Sequence, residues 1–311
     1  MTVNVLFAAL PQRWDSYRAP LTEALREAGV EADLRTDFPP EEVDYIVYAP
    51  NSSVQDFTHY TRLKAVLNLW AGVESVTGNV TLKVPLARMV DHGLRQGMVE
   101  WVTGHVLRHH LGMDKHIRGL TPGDWPQDFP PLAEDRQVSV LGMGELGAAC
   151  ATTLARLGFA VSGWSRSPKS VEGVICLDGP DGLRQALSTA EILVLLLPDT
   201  AATQNLIDAD ALALMPKGAV IVNPGRGTLI DDDALLAALD SGDIAHATLD
   251  VFRVEPLPAD HRFWHHPRVT VTPHIASETR PKTASRVIAE NVRRGEAGEP
   301  FLHLVDRAAG Y

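Results

Sequence analysis

Short apolar runs alternate with amphipathic stretches along the whole chain. "VNVLFAAL", "DYIVYAP", "LKAVLNLW" and "VPLARMV" are continuously apolar and bounded by turn residues, so they read as buried strands. Tyr17 to Ala28 has helical spacing and stops at Gly29. "GMVEWVTGHVLRHHLGMDKHI", 97–117, predicts one long helix. "LTPGDWPQDFPPL" follows it and cannot be regular helix, because each proline removes a donor and restricts its predecessor. It predicts a surface arm or connector. A second alternating series begins at Gln137, with strands in VSVLGM, AVSGWS, EILVLLLP, AVIVNP, HATLDVF and VTVTPH. Helices are expected at Gly147–Leu157, Asp231–Asp240 and from about Arg280 to Arg294, after which "FLHLVDRAAGY" returns to the first part. Strand–helix alternation implies parallel sheets covered on both faces. The expected domains are 1–97 plus 282–311, and 98–281.

A length of 311 residues suits two such domains. The net charge of −11 argues against a nucleic-acid surface, which needs a basic face. An anionic substrate would therefore need a local cationic pocket. Cys150 and Cys176 lack metal or redox spacing and read as small hydrophobes in a reducing compartment. The N-terminus lacks a basic segment and a cleavage site, and no apolar run approaches the ~20 residues that cross a bilayer. A cytoplasmic protein with no membrane partner is expected.

Gly142, Gly144 and Gly147 form G-x-G-x-x-G between a strand and a helix. The first glycine permits the tight turn, the second lets backbone approach a pyrophosphate, and the third lets helix pack on strand. The helix N-terminus adds unpaired N–H groups for the phosphates. The strand that follows would end in an acid if it bound the ribose diol of NAD. Here it ends in Ser165, Arg166 and Ser167, with Lys169 close by. A guanidinium flanked by hydroxyls suits a 2′-phosphate. NADPH is the expected cofactor, with NADH left open.

Three further segments sit at predicted strand ends, where open α/β sheets bind ligands. They are "VNPGRGTLID" with Arg226, "LDVFRVEPLP" with Asp250 and Glu255, and "VTVTPHIAS" with His274. Each residue alone has a bland reading as a surface charge or a structural histidine; the ordered combination beside a nucleotide motif does not. His105 and His109 stand at i, i+4, with His110, His116 and the pair His265–His266 elsewhere. They lack acidic or cysteine partners at matching spacing, so no metal is expected. Asp231 to Asp233 reads as a helix N-terminus, where carboxylates meet the dipole favourably.

The segments "GMGELG", "WSRS", "LLPDTAAT", "NPGRGTLIDDDALLAALDSG", "LDVFRVEPLP", "HHPRVTVTPHIAS", "TRP" and "VDRAAGY" resemble the D-isomer-specific 2-hydroxyacid dehydrogenase family, and within it the glyoxylate/hydroxypyruvate reductase A type. The resemblance covers essentially the whole chain and is strongest from Val138 onward. It implies an α/β fold in which a Rossmann dinucleotide-binding domain is inserted into a smaller flavodoxin-like substrate domain. It implies an NADPH-preferring reduction of small 2-oxo acids, glyoxylate to glycolate and hydroxypyruvate to D-glycerate. His274 would donate the proton, Glu255 would orient the imidazole and favour its charged form, and Arg226 would grip the substrate carboxylate and polarise its carbonyl.

The cofactor would meet Gly142, Gly144, Glu145, Leu146 and Gly147 at the first turn, and Trp164, Ser165, Arg166 and Ser167 at the second strand. Leu197, Pro198 and Thr203 would follow, then Pro224, Gly225 and Arg226, then Asp250, His274 and Ala276. The turn Trp70, Ala71, Gly72 and Val73 would offer backbone N–H groups to the substrate carboxylate, and domain closure would exclude water. Gly225 stands where the family usually has alanine. The family's homodimer would use the long helix and arm, making Trp101, Val102, Val106 and Leu107 partly interfacial. Two alternatives stay open: a larger 2-oxo acid such as phenylpyruvate, or a non-enzymatic dinucleotide-sensing protein.

Overall fold

The structure, a computed structural model, describes residues 2–117, 119–123, 125 and 127–310. They form two compact units: residues up to Leu94 together with those from Glu278 onward, and Arg95–Ser277 between them.

The first unit carries strands β1 (Val3–Ala8), β2 (Ala32–Arg35), β3 (Tyr45–Tyr48), β4 (Ala65–Asn68) and β5 (Leu86–Ala87), and helices α1 (Trp14–Glu27), α2 (Glu74–Thr77) and α9 (Pro281–Ala297). The strands are all parallel, in the order β2-β1-β3-β4-β5. This is the flavodoxin-like doubly wound order. Neighbouring residues alternate between two cores, as strand pleating requires. Val5, Phe7, Tyr45, Val47 and Leu67 face one core, shared with Leu21 of α1 and Ile288 of α9. Leu6, Ile46, Tyr48 and Val66 face the other. The C-terminal tail belongs here too. Leu304 bridges Ala87, the Val305 N–H donates to Leu86 O at 2.9 Å, and Arg307 donates to the carbonyls of Thr77, Asn79 and Leu82.

The second unit carries β6 (Gln137–Leu141), β7 (Ala160–Ser165), β8 (Ile175–Asp178), β9 (Ile192–Leu195), β10 (Ala219–Asn223), β11 (Ile244–Leu249) and β12 (Val269–Val271). Their order, β12-β11-β10-β9-β6-β7-β8, is that of the Rossmann sheet with one more strand at an edge. Helices α5 (Glu145–Arg156), α6 (Gly179–Thr189), α7 (Ala209–Leu214) and α8 (Asp232–Ser241) cover it. Val138, Val140 and Val194 face one core and Leu141, Leu193 and Leu195 the other. Asp231 caps α8, its carboxylate accepting from the Ala234 N–H at 2.9 Å.

The expected single helix over 97–117 is corrected. It is two helices, α3 (His92–His110) and α4 (Met113–Ile117). The start lies earlier because the buried Asp91 carboxylate accepts from the N–H groups of Gly93 and Leu94, at 3.0 and 3.1 Å. The break follows from Gly112, whose φ of +61° is left-handed. Val102 and Val106 are fully buried in the chain's own core, so neither is left for a partner. Trp101 and Leu107 are half-buried. Strands β2 and β8 had no strong apolar signal because both are sheet edges with only partly covered residues.

His109 lies under the sheet, where its Nε2 meets Thr248 Oγ1 at 2.9 Å, and burial pushes its pKa down to about 3. Among the described residues no group of three metal-ligating side chains converges, and no helix is long and apolar enough to cross a membrane.

Candidate active site

The three glycines of the β6–α5 turn differ in what surrounds them. Gly142 has φ +107°, and a Cβ there would lie 2.5 Å from the Leu196 carbonyl. A Cβ on Gly147 would lie 1.7 Å from Gly142 O, so helix and turn touch. Gly144 faces open space: beyond its own chain neighbours, a Cβ there would meet no atom within 4 Å. It is also the N-cap of α5 and supplies no side-chain acceptor to the first-turn N–H groups. Glu145 is exposed and Leu146 half-buried. The arrangement is a backbone cradle that a side chain would fill, with a helix N-terminus behind it, which fits a pyrophosphate.

Beside it, β7 ends in Trp164 and Ser165. The buried Trp164 indole donates to Gly179 O at 2.8 Å. Ser165 Oγ donates to Ser167 O at 2.7 Å, shaping the turn, and Arg166 and Ser167 are exposed. No carboxylate occupies the strand end. After β9, Leu197 is buried, and Thr203 Oγ1 donates to Pro198 O at 2.6 Å and accepts from the Thr200 N–H at 2.9 Å. Thr203 therefore holds the shape of its loop.

Arg226 follows β10 through Pro224 and Gly225, both buried. A Cβ on Gly225 would lie 2.7 Å from Leu195 O, so the glycine lets this turn sit closely on β9. Gly227 lets the turn meet the Glu255 loop, since a Cβ there would lie 2.0 Å from the Phe252 carbonyl carbon. Arg226 Nη1 donates to Gly225 O at 2.7 Å.

The carboxylate of Glu255 accepts from the Phe252 N–H at 2.9 Å through Oε1 and meets His274 Nδ1 at 2.6 Å through Oε2. The side chains remain 34% and 52% exposed, so reactants can reach the imidazole. The hydrogen bond to Glu255 raises the His274 pKa; burial and the Arg226 charge oppose it and lose. Burial pushes the Glu255 pKa up, but the bonds from His274 and Phe252 and the Arg226 charge outweigh it, and the net shift is down. Both shifts favour a carboxylate beside an imidazolium, with Arg226 close enough to act on both.

Residues 103–276 match the family described as D-isomer specific 2-hydroxyacid dehydrogenase, NAD binding domain. The chain belongs to the D-isomer-specific 2-hydroxyacid dehydrogenase family. It is 35% identical to a glyoxylate/hydroxypyruvate reductase A from Serratia proteamaculans, over 99% of this chain and 100% of that protein. A D-isomer specific 2-hydroxyacid dehydrogenase from Xanthobacter autotrophicus Py2, solved with NADPH and MES, superposes with TM-score 0.93 at 40% identity over 100% of both chains. The NADPH-dependent glyoxylate/hydroxypyruvate reductase from Sinorhizobium meliloti, solved with NADP and sulfate, gives TM-score 0.85 at 34% identity, over 100% of this chain and 99% of that one.

In this 2-hydroxyacid dehydrogenase, the Asp250 side chain is engaged by its own neighbouring loop. It is fully buried, and its carboxylate accepts from Thr272 Oγ1 at 2.5 Å and from the N–H groups of Ile275 and Ala276 at 2.9 and 2.8 Å. Its backbone carbonyl takes the His274 N–H at 2.8 Å. His274 has φ +54°, a conformation costing a non-glycine residue roughly 1–3 kcal/mol. Hydrogen bonds contribute roughly 0.5–1.5 kcal/mol each, so the three to the Asp250 side chain offset that cost. Asp250 and Ala276 thus fix the imidazole loop.

Sequence reasoning missed Asn223, which is buried, accepts from the Gly225 N–H at 3.1 Å and donates to Arg226 O at 2.9 Å. The signal was an asparagine closing an apolar strand before a glycine turn. In the first unit, Trp70 is 42% exposed, Ala71 and Gly72 are half-buried and Val73 is buried, in the turn between β4 and α2.

Proposed function

We propose that the protein is an NADPH-preferring reductase of small 2-oxo acids, taking glyoxylate to glycolate and hydroxypyruvate to D-glycerate. The observation that carries the reading is the 2.6 Å contact between Glu255 and His274, with the Arg226 charge acting on both, in a unit built on G-x-G-x-x-G. The names of the Serratia and Sinorhizobium relatives support the same reaction, and the ligands of the Xanthobacter and Sinorhizobium structures support the same cofactor.

Gly142, Gly144 and Gly147, with the N–H groups that open α5, would hold the pyrophosphate. Ser165, Arg166 and Ser167 would hold the 2′-phosphate, where an acid would repel it. When bound, NADPH supplies the hydride for the carbonyl carbon. Glu255 accepts from Nδ1 of His274, which leaves the Nε2 proton for the carbonyl oxygen as it gains charge. Arg226 binds the substrate's carboxylate and polarises its carbonyl through the forked guanidinium. The Ala71–Val73 turn offers backbone N–H groups to a substrate carboxylate. The second unit is the cofactor domain and the first the substrate domain.

The protein acts as a cytoplasmic homodimer, for which the free thiols of Cys150 and Cys176 and the exposed apolar arm provide support. Absorbance at 340 nm with NADPH and glyoxylate, repeated with hydroxypyruvate, phenylpyruvate and NADH, tests the reading. Turnover of the small acids with at least tenfold higher kcat/KM for NADPH is expected. Preference for phenylpyruvate would replace the substrate assignment. Nucleotide binding with no turnover of any 2-oxo acid would make the protein a sensor.

A further inference from the structure

Asn68 is the last residue of β4 and is 1% exposed. Its Nδ2 donates to two carbonyls of the turn that follows, Trp70 O at 2.9 Å and Gly72 O at 3.0 Å. Each trans peptide unit is planar, with C=O and N–H pointing opposite ways. Drawing the Trp70 carbonyl toward Asn68 therefore turns the Ala71 N–H away from it. Drawing the Gly72 carbonyl inward turns the Val73 N–H out in the same way.

Among the described residues, no protein group accepts from the N–H of Ala71, Gly72 or Val73. A backbone donor left unpaired at a largely covered position costs about as much as a lost hydrogen bond, and a bound carboxylate removes that cost.

The two carbonyls are not held equally. Trp70 O also accepts from the Met89 N–H at 3.0 Å, so the Ala71 peptide has a second support. Among the described residues, Gly72 O has Asn68 as its donor and no other. Other bonds fix the start of the turn. The Leu69 N–H donates to Tyr48 O at 2.7 Å, and Thr279 Oγ1 donates to Leu69 O at 2.7 Å. The aim of the Val73 N–H rests on Asn68.

We propose that Asn68 is a positioning residue for substrate binding: its amide clamps the Trp70 and Gly72 carbonyls so that the Ala71 and Val73 N–H groups present to the carboxylate of a 2-oxo acid. The proposal rests on the functional reading above and adds a residue that touches neither substrate nor cofactor.

The test uses the full-length enzyme with Asn68→Leu, which keeps the volume and loses both donors, and Asn68→Ser, which keeps one hydroxyl donor. For Asn68→Leu the KM for glyoxylate rises at least tenfold and the inhibition constant of oxamate rises with it. Its kcat changes less than threefold, and the NADPH Kd, read by cofactor fluorescence, stays at the wild-type value. Asn68→Ser falls between wild type and Asn68→Leu. If circular dichroism shows that Asn68→Leu does not fold, Asn68→Ser decides, with a threefold rise in KM as the threshold. A KM within twofold of wild type in the folded variants overturns the proposal alone. So does a parallel loss of kcat and NADPH affinity, which marks a general structural defect. A wild type that neither reduces glyoxylate nor binds oxamate overturns the functional reading, and this proposal with it.

Discussion

His274 owes its raised pKa first to its hydrogen bond with Glu255, with the Asp250 charge adding to it, and the direction of the resulting pH dependence follows. Reduction needs the protonated imidazole. The rate of glyoxylate reduction is therefore full below the raised pKa and falls as pH climbs through it. In Glu255→Gln the supporting charge is gone, and the falling limb of the kcat/KM profile moves to lower pH. A profile that keeps its wild-type position, with hydride transfer limiting the rate, contradicts the pairing. Arg226→Ala and His274→Ala each lower kcat/KM for glyoxylate by at least ~100-fold, about 2.7 kcal/mol of transition-state stabilisation, without unfolding the protein. A loss below tenfold in both removes them from the mechanism. These side chains were legible as a set and not one by one, because few other roles need Arg, Glu and His in that order after three strands. Asp250 was legible as important, but not its part in shaping the loop: what its carboxylate accepts from, Thr272, Ile275 and Ala276, depends on how β11 and β12 pair.

At the scale of elements, strand ends do the positioning. Asn68 closes β4 and Asn223 closes β10, and each uses a buried amide to hold the carbonyls or N–H groups of the turn that follows. The glycine turn separates two kinds of constraint that the sequence writes with one letter. Gly147→Ala puts a methyl 1.7 Å from Gly142 O, and its thermal midpoint falls by several degrees or it fails to fold. Gly144→Ala meets open space and keeps the wild-type midpoint, yet its NADPH Kd rises at least about tenfold, or 1.4 kcal/mol. Differential scanning calorimetry and fluorescence titration distinguish the two, and equal midpoints for both variants contradict the packing argument. Central strands were readable because burial on both faces leaves a continuous apolar run. The edges β2 and β8 were not, since half-exposed strands carry mixed residues. The split of α3 from α4 turned on Gly112 and the start of α3 on Asp91, both visible as letters but decisive only through local backbone geometry.

For the whole molecule, two parallel doubly wound sheets place most of the candidate residues in the segments that follow the carboxyl ends of strands, where helix N-termini and turn N–H groups gather. Outside the regular elements, the arm exposes Leu120, Trp125, Phe129 and Leu132 at 44, 82, 85 and 66%. So much aromatic surface on one segment fits burial against a second copy of this chain, since two-fold homo-oligomers are the commonest assemblies. For the homodimer proposed above, Trp125→Asp together with Phe129→Asp is expected to give a monomer in sedimentation analysis, with NADPH affinity kept. A wild type that sediments as a monomer at micromolar concentration contradicts the assignment.

The amino-acid order by itself determined the strand–helix alternation, the nucleotide turn, the missing acid with Arg166 in its place, and the Arg–Glu–His set. Each is written in local spacing or in side-chain chemistry that no packing changes. Only the tertiary structure decided that Glu255 reaches Nδ1 of His274, that Asp250 turns inward, that Gly144 is open where Gly147 is filled, and that Asn68 holds a turn. Those outcomes depend on distances between segments far apart in the chain, which are set by strand pairing and core packing and leave no periodic trace in the sequence.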